Sequence, residues 1–393
     1  MTPELDPDHL RFALSLEDSL AEPDTSHVWS PHSAATALSL LAAGASGEVL
    51  AALTRLLAAD RGTLDEHVTA LDAAVSADAG GTTLGGTSGW APPGGQEAPP
   101  LELASVNDLY VRADRTVLPG FAAELAGRPA SAVRPVDFAA DPEKVRREIN
   151  AAVAEVTRGM IPDLLSPGAV TAGTESVLLN ALWVRLVWAS PFDSERTEER
   201  VFHAPGGDRP VPTMRQTDHF QVAGAAGLRM LTLAGHHGLY LDVVLPEEGT
   251  EPPVLTAGAH RALLGSLRSE RVDVALPRFR VESGFELLPL LPGLAAAAGG
   301  PSDDLRGITG DPLQVDAIIH RAVLNVDEVG AEGAAATAVM MTLGSAMPPP
   351  RPLEFHVDRP FAFVLRRGSA ALFLGRVTDP RDPGPAQPLE HSW

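Results

Sequence analysis

The residues of this chain that could carry covalent, metal or phosphate chemistry are two glycine-flanked serines, one pair of adjacent histidines and a glycine-rich stretch. Gly44-Ala-Ser-Gly47 and Gly86-Thr-Ser-Gly89 each fall short of a nucleophile elbow, which needs Gly-x-Ser-x-Gly between a strand and a helix. His236-His237 offers metal-ligand chemistry, but adjacent imidazoles on an extended chain point apart, and no His-x-x-x-His or carboxylate stands at ligand spacing. A hairpin turn flanked by Gly235 and Gly238 is the reading this pattern favours. No Gly-x-x-x-x-Gly-Lys loop is present, and the glycine-rich stretch has no strand and helix around it to build a phosphate cradle. These patterns argue against an enzyme and call for no cofactor or metal.

One segment carries a different signal: Glu328-Val-Gly-Ala-Glu-Gly-Ala-Ala-Ala-Thr-Ala-Val-Met-Met-Thr-Leu-Gly-Ser-Ala-Met-Pro-Pro-Pro350. By propensity Ala334 to Met341 should be helical. Its flanks read as strands, however, and it ends in a proline run that must stay extended. Period two is also compatible. It puts Ala331, Gly333, Ala335, Thr337, Val339 and Met341 on one face, and Glu332, Ala334, Ala336, Ala338 and Met340 on the other. Such small side chains suit a strand that slides between two others, and helix and latent strand stand about equal on these grounds.

The elements that must position such a segment are legible in outline. The 393 residues are 45% hydrophobic, enough for a large buried core. With 51 acidic against 30 basic residues, the formal charge of -21 repels phosphate backbones and anionic lipid heads, so neither nucleic acid nor a membrane is an expected partner. No stretch of about 18 uninterrupted apolar residues predicts a membrane span. Cysteine is absent, which fits a reducing compartment. Met1 to Leu16 carries Glu4, Asp6 and Asp8 where a secretory signal would need positive charge. The expected location is therefore cytoplasmic, or extracellular if the true start lies upstream.

Ser33 to Leu57 reads as two helices broken at Gly44 and Gly47, with Ser46 as N-cap of the second. Residues 79–100 read as a flexible surface insertion. Leu101 to Val111 alternates as a strand, and Asp141 to Leu165 has helix period behind an Asp-Pro-Glu start. Strand signals follow over Ser176 to Trp188, Leu239 to Leu245, Arg271 to Val281, Ala317 to Asp327, Phe355 to Phe363 and Ala371 to Val377. Helices lead and strands follow, so the fold class is α+β. The Pro-rich tail, residues 381–393, is expected to fray.

Glu328-Val-Gly-Ala-Glu-Gly-Ala-Ala-Ala-Thr-Ala closely resembles the hinge of inhibitory serpins, in its family position ahead of Asp358-Arg-Pro-Phe361. Other segments are similar to the family in family order. They are Trp29-Ser-Pro-His-Ser-Ala-Ala-Thr-Ala-Leu38; Asn150, Thr157, Gly159, Ile161 and Leu164; and Leu178-Leu-Asn-Ala-Leu-Trp-Val184 with Trp188, Pro191 and Phe192. Leu276-Pro-Arg-Phe, Asp304-Leu-Arg-Gly307, His320-Arg-Ala-Val-Leu324 and Leu374-Gly-Arg-Val-x-x-Pro380 complete the series. The chain resembles a bacterial-type inhibitory serpin. That resemblance implies a single domain over residues 1–380, with about nine helices, three β-sheets and an exposed reactive centre loop at 328–352.

The resemblance further implies a suicide inhibitor of serine proteases, whose cleaved loop enters its own central sheet and drags the acylated protease with it. Glu328, Gly330, Ala331, Glu332, Gly333, Ala334, Ala335, Ala336 and Thr337 would form the hinge. Insertion of residues 331–342 would span roughly 40 Å at about 3.3 Å per residue. Ser30, Ser33, Asn180 and His320 would form a shutter and Trp188 part of the breach, where ordinary polar packing is the bland alternative. Ala331 stands where the family usually has Thr or Ser, Gly333 replaces a customary Ala, and Leu186 stands where the family often has Gly. Counting from Glu328 places the scissile bond at Gly344-Ser345, with cleavage after Met341, Leu343 or Ala346 as alternatives. All of these lack positive charge, which implies an elastase-, subtilisin- or chymotrypsin-like target with a small or apolar pocket. The acidic charge argues against heparin activation, and a monomer is expected. A non-inhibitory serpin serving as carrier, chaperone or protease substrate is the second reading.

Overall fold

The computed structural model describes residues 5–20, 22, 24–57, 64–75, 102–128, 130–247, 255–329 and 351–384. The chain begins with α1 (Pro7–Leu20), β1 (His27–Trp29), α2 (Pro31–Ala43), α3 (Gly47–Leu57) and α4 (Leu64–Val75). Next come β2 (Glu102–Arg112), α5 (Pro119–Ala126), β3 (Ser131–Val136), α6 (Pro142–Val156) and β4 (Ser176–Arg185). Strands then dominate: β5 (Glu198–Ala204), β6 (Gly207–Ala225), β7 (Leu228–Ala234), β8 (Leu239–Pro246), and, after α7 (Ala257–Gly265), β9 (Arg268–Pro277) and β10 (Phe279–Glu286). Two short helices, α8 (Pro292–Ala298) and α9 (Arg306–Thr309), precede β11 (Ala317–Val326), β12 (Leu353–His356), β13 (Phe361–Arg367) and β14 (Ala370–Val377).

β4 is apolar at nearly every position because both of its faces are covered. Val177, Leu179 and Ala181 face a cluster under α6, whereas Leu178 and Leu182 face the main core on the side of α2. α6 supplies Val145, Ile149 and Val153 to its cluster, at the four-residue spacing that keeps side chains on one helix face. Each fully buried leucine contributes about 2 kcal/mol of transfer free energy. β4 lies inside a five-stranded sheet of order β10-β11-β4-β2-β3. β10 pairs antiparallel with β11 and β2 antiparallel with β4, but β11 and β4 run parallel, from Ala317 opposite Val177 to Val323 opposite Trp183.

The remaining nine strands are one hydrogen-bonded network, β1-β14-β13-β8-β7-β6-β9-β12 with β5 attached to β6. The 19-residue β6 changes partners along its length. Gly207–Thr213 pairs with β5, Thr213–Val222 with β9 and Gln221–Ala225 with β7. Two of the three sheets implied by the resemblance therefore share β6, and the α+β architecture is as expected. β14 packs so closely on β1 that a Cβ at Gly375 would run into the His27 carbonyl, so only glycine fits there.

Several boundaries differ from expectation. α6 ends at Val156 instead of continuing to Leu165, because Arg158 and Gly159 take positive φ (52° and 77°) and the Gly159 amide donates to Ala154 O at 2.7 Å, closing the helix. The expected strands at 271–281 and 355–363 are each two strands. β3, β5, β6 and β7 carried no clear sequence signal. Of the tail expected to fray, residues 381–384 are described, and there Arg280 N donates to Arg381 O at 2.7 Å and Arg278 Nη2 to Asp382 Oδ2 at 2.9 Å; residues 385–393 lie outside the described residues.

Ser46 is not the side-chain cap of α3. Its hydroxyl donates to Asp304 O at 3.2 Å, while the Asp304 carboxylate accepts from Glu48 N (2.7 Å) and Val49 N (3.3 Å). The cap is thus supplied by a turn distant in sequence, which local reading does not find. Asp304→Ala is expected to lower native stability by about 1 kcal/mol, and Ser46→Ala by less, as read from thermal or urea melts.

Candidate functional site

The parallel seam between β11 and β4 is where sequence-predicted site residues converge. The even-numbered residues of β11 and β4 face α2, so His320 and Asn180 point the same way, and they are paired in register. Asn107 of β2 is in turn opposite Asn180. A polar row therefore crosses three adjacent strands at one level inside an apolar core. Ser30 and Ser33 reach it from α2, whose N-terminus is capped when Ser30 Oγ accepts from Ser33 N at 3.1 Å, with Pro31 in the first turn.

All these groups are buried, and each bond fixes the next. His320 Nε2 accepts from Ser30 N at 2.9 Å, so Nδ1 carries the proton and donates to Asn180 Oδ1. Asn180 Nδ2 donates to Ser33 O (2.9 Å), Ser33 Oγ (2.5 Å) and Asn107 Oδ1 (2.5 Å). Only a neutral imidazole satisfies this pattern. Burial, with no facing carboxylate, holds the His320 pKa down at about 3. The Trp29 ring meets His320 edge-on at 6.3 Å and donates Nε1 to Glu17 Oε2 at 2.8 Å. Sequence reading missed Asn107 and Glu17; an asparagine interrupting the apolar alternation of β2 was the available signal for the first.

At the upper end of the seam the chain leaves β11 through Asp327 and Glu328. Trp188 Nε1 donates to Asp327 O at 2.8 Å, and Trp188 stacks edge-on against Phe192 at 6.1 Å. Phe192 N donates to Glu328 O at 3.2 Å. The Glu328 side chain is buried, accepting from Thr197 Oγ1 at 2.6 Å with Arg278 Nη1 at 3.6 Å. Arg278 and Thr197 were not singled out from the sequence, being 50 and 131 residues from Glu328 in the chain. Leu186 is buried, and Gly235 makes its place: a Cβ there would come within 2.7 Å of Leu186 Cδ1.

Gly330, Ala331, Glu332, Gly333, Ala334, Ala335, Ala336 and Thr337 lie outside the described residues, as do the cleavage candidates Met341, Leu343, Gly344, Ser345 and Ala346 and the insertion at 79–100. His236 and His237 form the turn between β7 and β8, with His237 and Gly238 at φ 56° and 72° and ring centroids 6.3 Å apart. Gly44 and Gly47 flank the turn between α2 and α3 rather than a strand-to-helix elbow.

The buried histidines give the stability a defined pH dependence. His320 is depressed from 6.5 to about 3, so below pH 6.5 the unfolded chain binds a proton that the native state refuses. Stability is complete above 6.5 and falls as the pH drops toward 3, by on the order of 2 kcal/mol at about pH 5 from this group alone. His32, lowered to about 3 by burial and by His9, acts with the same sign. Melting temperatures should fall between about pH 7 and pH 5, and fall less in His320→Gln; equal slopes would contradict a neutral buried imidazole.

Comparison with known proteins bears on what this constellation belongs to. Residues 8–380 match the family model described as serpin (serine protease inhibitor). An uncharacterised serpin-like protein of Thermococcus kodakarensis is 34% identical over 294 residues, 73% of this chain and 68% of that protein. Serpin B6 of Pongo abelii is 29% identical over 385 residues, 94% of this chain and 97% of the relative. Human thyroxine-binding globulin superposes with a TM-score of 0.79 at 23% identity, covering 96% of this chain and 98% of that one. Uncleaved ovalbumin does so with a TM-score of 0.77 at 20% identity, covering 96% and 100%. Structural likeness at such identities speaks for the fold, and the family model for the class: serpins are protease inhibitors and not themselves proteases. Matched from its first helix to the end of its last strand, this chain belongs to the serpin family.

Proposed function

We propose that this serpin is a suicide inhibitor of serine proteases, trapping its target by inserting the cleaved loop between β11 and β4. The observation that carries the reading is the parallel seam itself. A strand entering antiparallel to both neighbours replaces one parallel ladder of seven residue pairs with two antiparallel ladders, a pairing slightly more stable per residue. The proposed loop begins at Glu328, which is held at the upper end of the seam by Phe192 N and Thr197 Oγ1.

In the proposed reaction the protease serine attacks the loop carbonyl and displaces the amine of the new N-terminus, leaving an ester to the loop. Insertion then carries that ester away from the site of attack before water can cleave it. Gly330 supplies freedom at the pivot. Ala331, Gly333 and Ala335 are small enough to enter the seam, and Glu332 stays on the opposite face in water. Gly344, Met341, Leu343 and Ala346 offer a protease pocket either nothing or a small or apolar group, which favours elastase-, subtilisin- or chymotrypsin-like targets. The net charge of -21 disfavours activation by a polyanion such as heparin.

Incubation with subtilisin, pancreatic elastase, chymotrypsin and trypsin, followed by denaturing electrophoresis and mass spectrometry of the released C-terminal fragment, tests this directly. A covalent, denaturant-resistant complex with one of the first three is expected, with cleavage after one of the named residues. Ala331→Arg should abolish the complex while cleavage continues, because a guanidinium forced into the seam without a partner opposes insertion. Cleavage of the wild type without complex formation by any of them would instead favour a non-inhibitory carrier, chaperone or substrate serpin.

A further inference from the structure

The lower end of the β4–β11 seam is fastened by one carboxylate that the shutter and breach do not involve. Asp316, immediately before β11, accepts from Glu175 N at 2.6 Å and Ser176 N at 3.1 Å through Oδ2, and from Gln314 Nε2 at 2.9 Å through Oδ1. Its own amide donates to Ser176 O at 2.9 Å, and Ser176 Oγ donates to Gln314 O at 2.6 Å. Four hydrogen bonds thus cross between the chain entering β4 and the chain entering β11. Two of them end on an ionised acceptor, the stronger kind.

The β4 side of this clasp is itself tied down. Glu175 O accepts from Arg112 N at 2.9 Å. The Glu175 carboxylate is held by Arg112 Nη1 at 2.8 Å and by Arg115 Nε and Nη2 at 3.0 and 2.9 Å. β2, β4 and β11 are therefore joined at their common lower end by polar groups.

We propose that Asp316 is a latch that sets how deep the loop inserts and how readily the native state converts without a protease, acting by positioning β4 against β11. This rests on the loop-insertion reading. A strand that turns back after Glu328 with Ala331 opposite it brings Thr342 opposite Ala317. There it would hold Ala317 and Val177 two strand spacings apart, about 9.6 Å. Asp316 and Ser176 are one residue further along and cannot keep their bonds across that gap. The latch is closed only in the uninserted form, so it stabilises that form alone and opens only when insertion runs to its full length.

Melting of the intact and the loop-cleaved protein, for wild type and for Asp316→Ala, tests this; Asp316→Asn, which keeps the size, serves if the alanine variant folds poorly. Loop cleavage should raise the wild-type midpoint markedly. Asp316→Ala should lower the intact midpoint by about 5 °C, leave the cleaved midpoint unchanged, and speed the loss of inhibitory activity on mild warming several-fold. An equal fall in both forms would mark Asp316 as a general structural residue and overturn the latch while leaving insertion standing. No rise on cleavage of the wild type would overturn insertion and the latch together.

Discussion

One parallel pairing governs this molecule: seven residues of β11 lie against seven of β4, with no strand between them. Parallel neighbours are the only arrangement into which a third strand fits antiparallel to both, and the strand that would do so is covalently attached to the end of β11. The lowest free energy of such a chain need not be the state first reached in folding. In the proposed insertion, the small side chains at 331 and 333–338 would reduce the steric cost of entry, while burial and hydrogen bonding would reward it.

Besides its ladder, the seam is held at three levels by directional polar bonds. At mid-height the His320 to Asn180 bond spans the two strands, and Asn180 is held in turn by Ser33 of α2 and Asn107 of β2. A buried donor stripped of its partner costs on the order of 1–3 kcal/mol, a barrier of useful size but not a prohibitive one. At the upper end Glu328 is bound to Thr197 and faces Arg278, which also holds Asp382 beyond the last strand. At the lower end Asp316 fastens the entry of both strands. The hydrophobic residues between these points, Leu178, Leu182, Ile318 and Leu324 among them, supply cohesion that survives repacking, whereas the directional bonds do not.

The sequence made some of this legible and hid the rest for physical reasons. β4 and β11 showed themselves by their apolar residues, β4 because both its faces are covered and β11 because its even-numbered positions are buried, and the α+β order of elements followed. β5 and β6 did not, since edge and half-exposed strands carry charged residues such as Glu198, Glu199 and Arg200 and tolerate Pro210 and Pro212. β3 was hidden in the same way by Pro135 at an outer edge. Resemblance supplied Ser30, Ser33, Asn180 and His320, and the geometry joins them into one network. The partners of Asn107, Arg278, Asp304 and Asp316 were invisible because each acts on a group 50 or more residues away, a relation that no local pattern records. Helix length was misjudged at α6, where apolar periodicity continues past the point at which Arg158 and Gly159 turn the chain back.

The most direct test of a seam that can admit its own loop is amide hydrogen exchange on the protein before and after a single nick in residues 341–346. Insertion predicts that the peptide covering 331–342 passes from rapid exchange to protection matching that of β4 and β11. If that peptide still exchanges as open chain after the nick, with β4 and β11 unchanged, the loop does not enter the sheet and the mechanism proposed for this serpin is wrong.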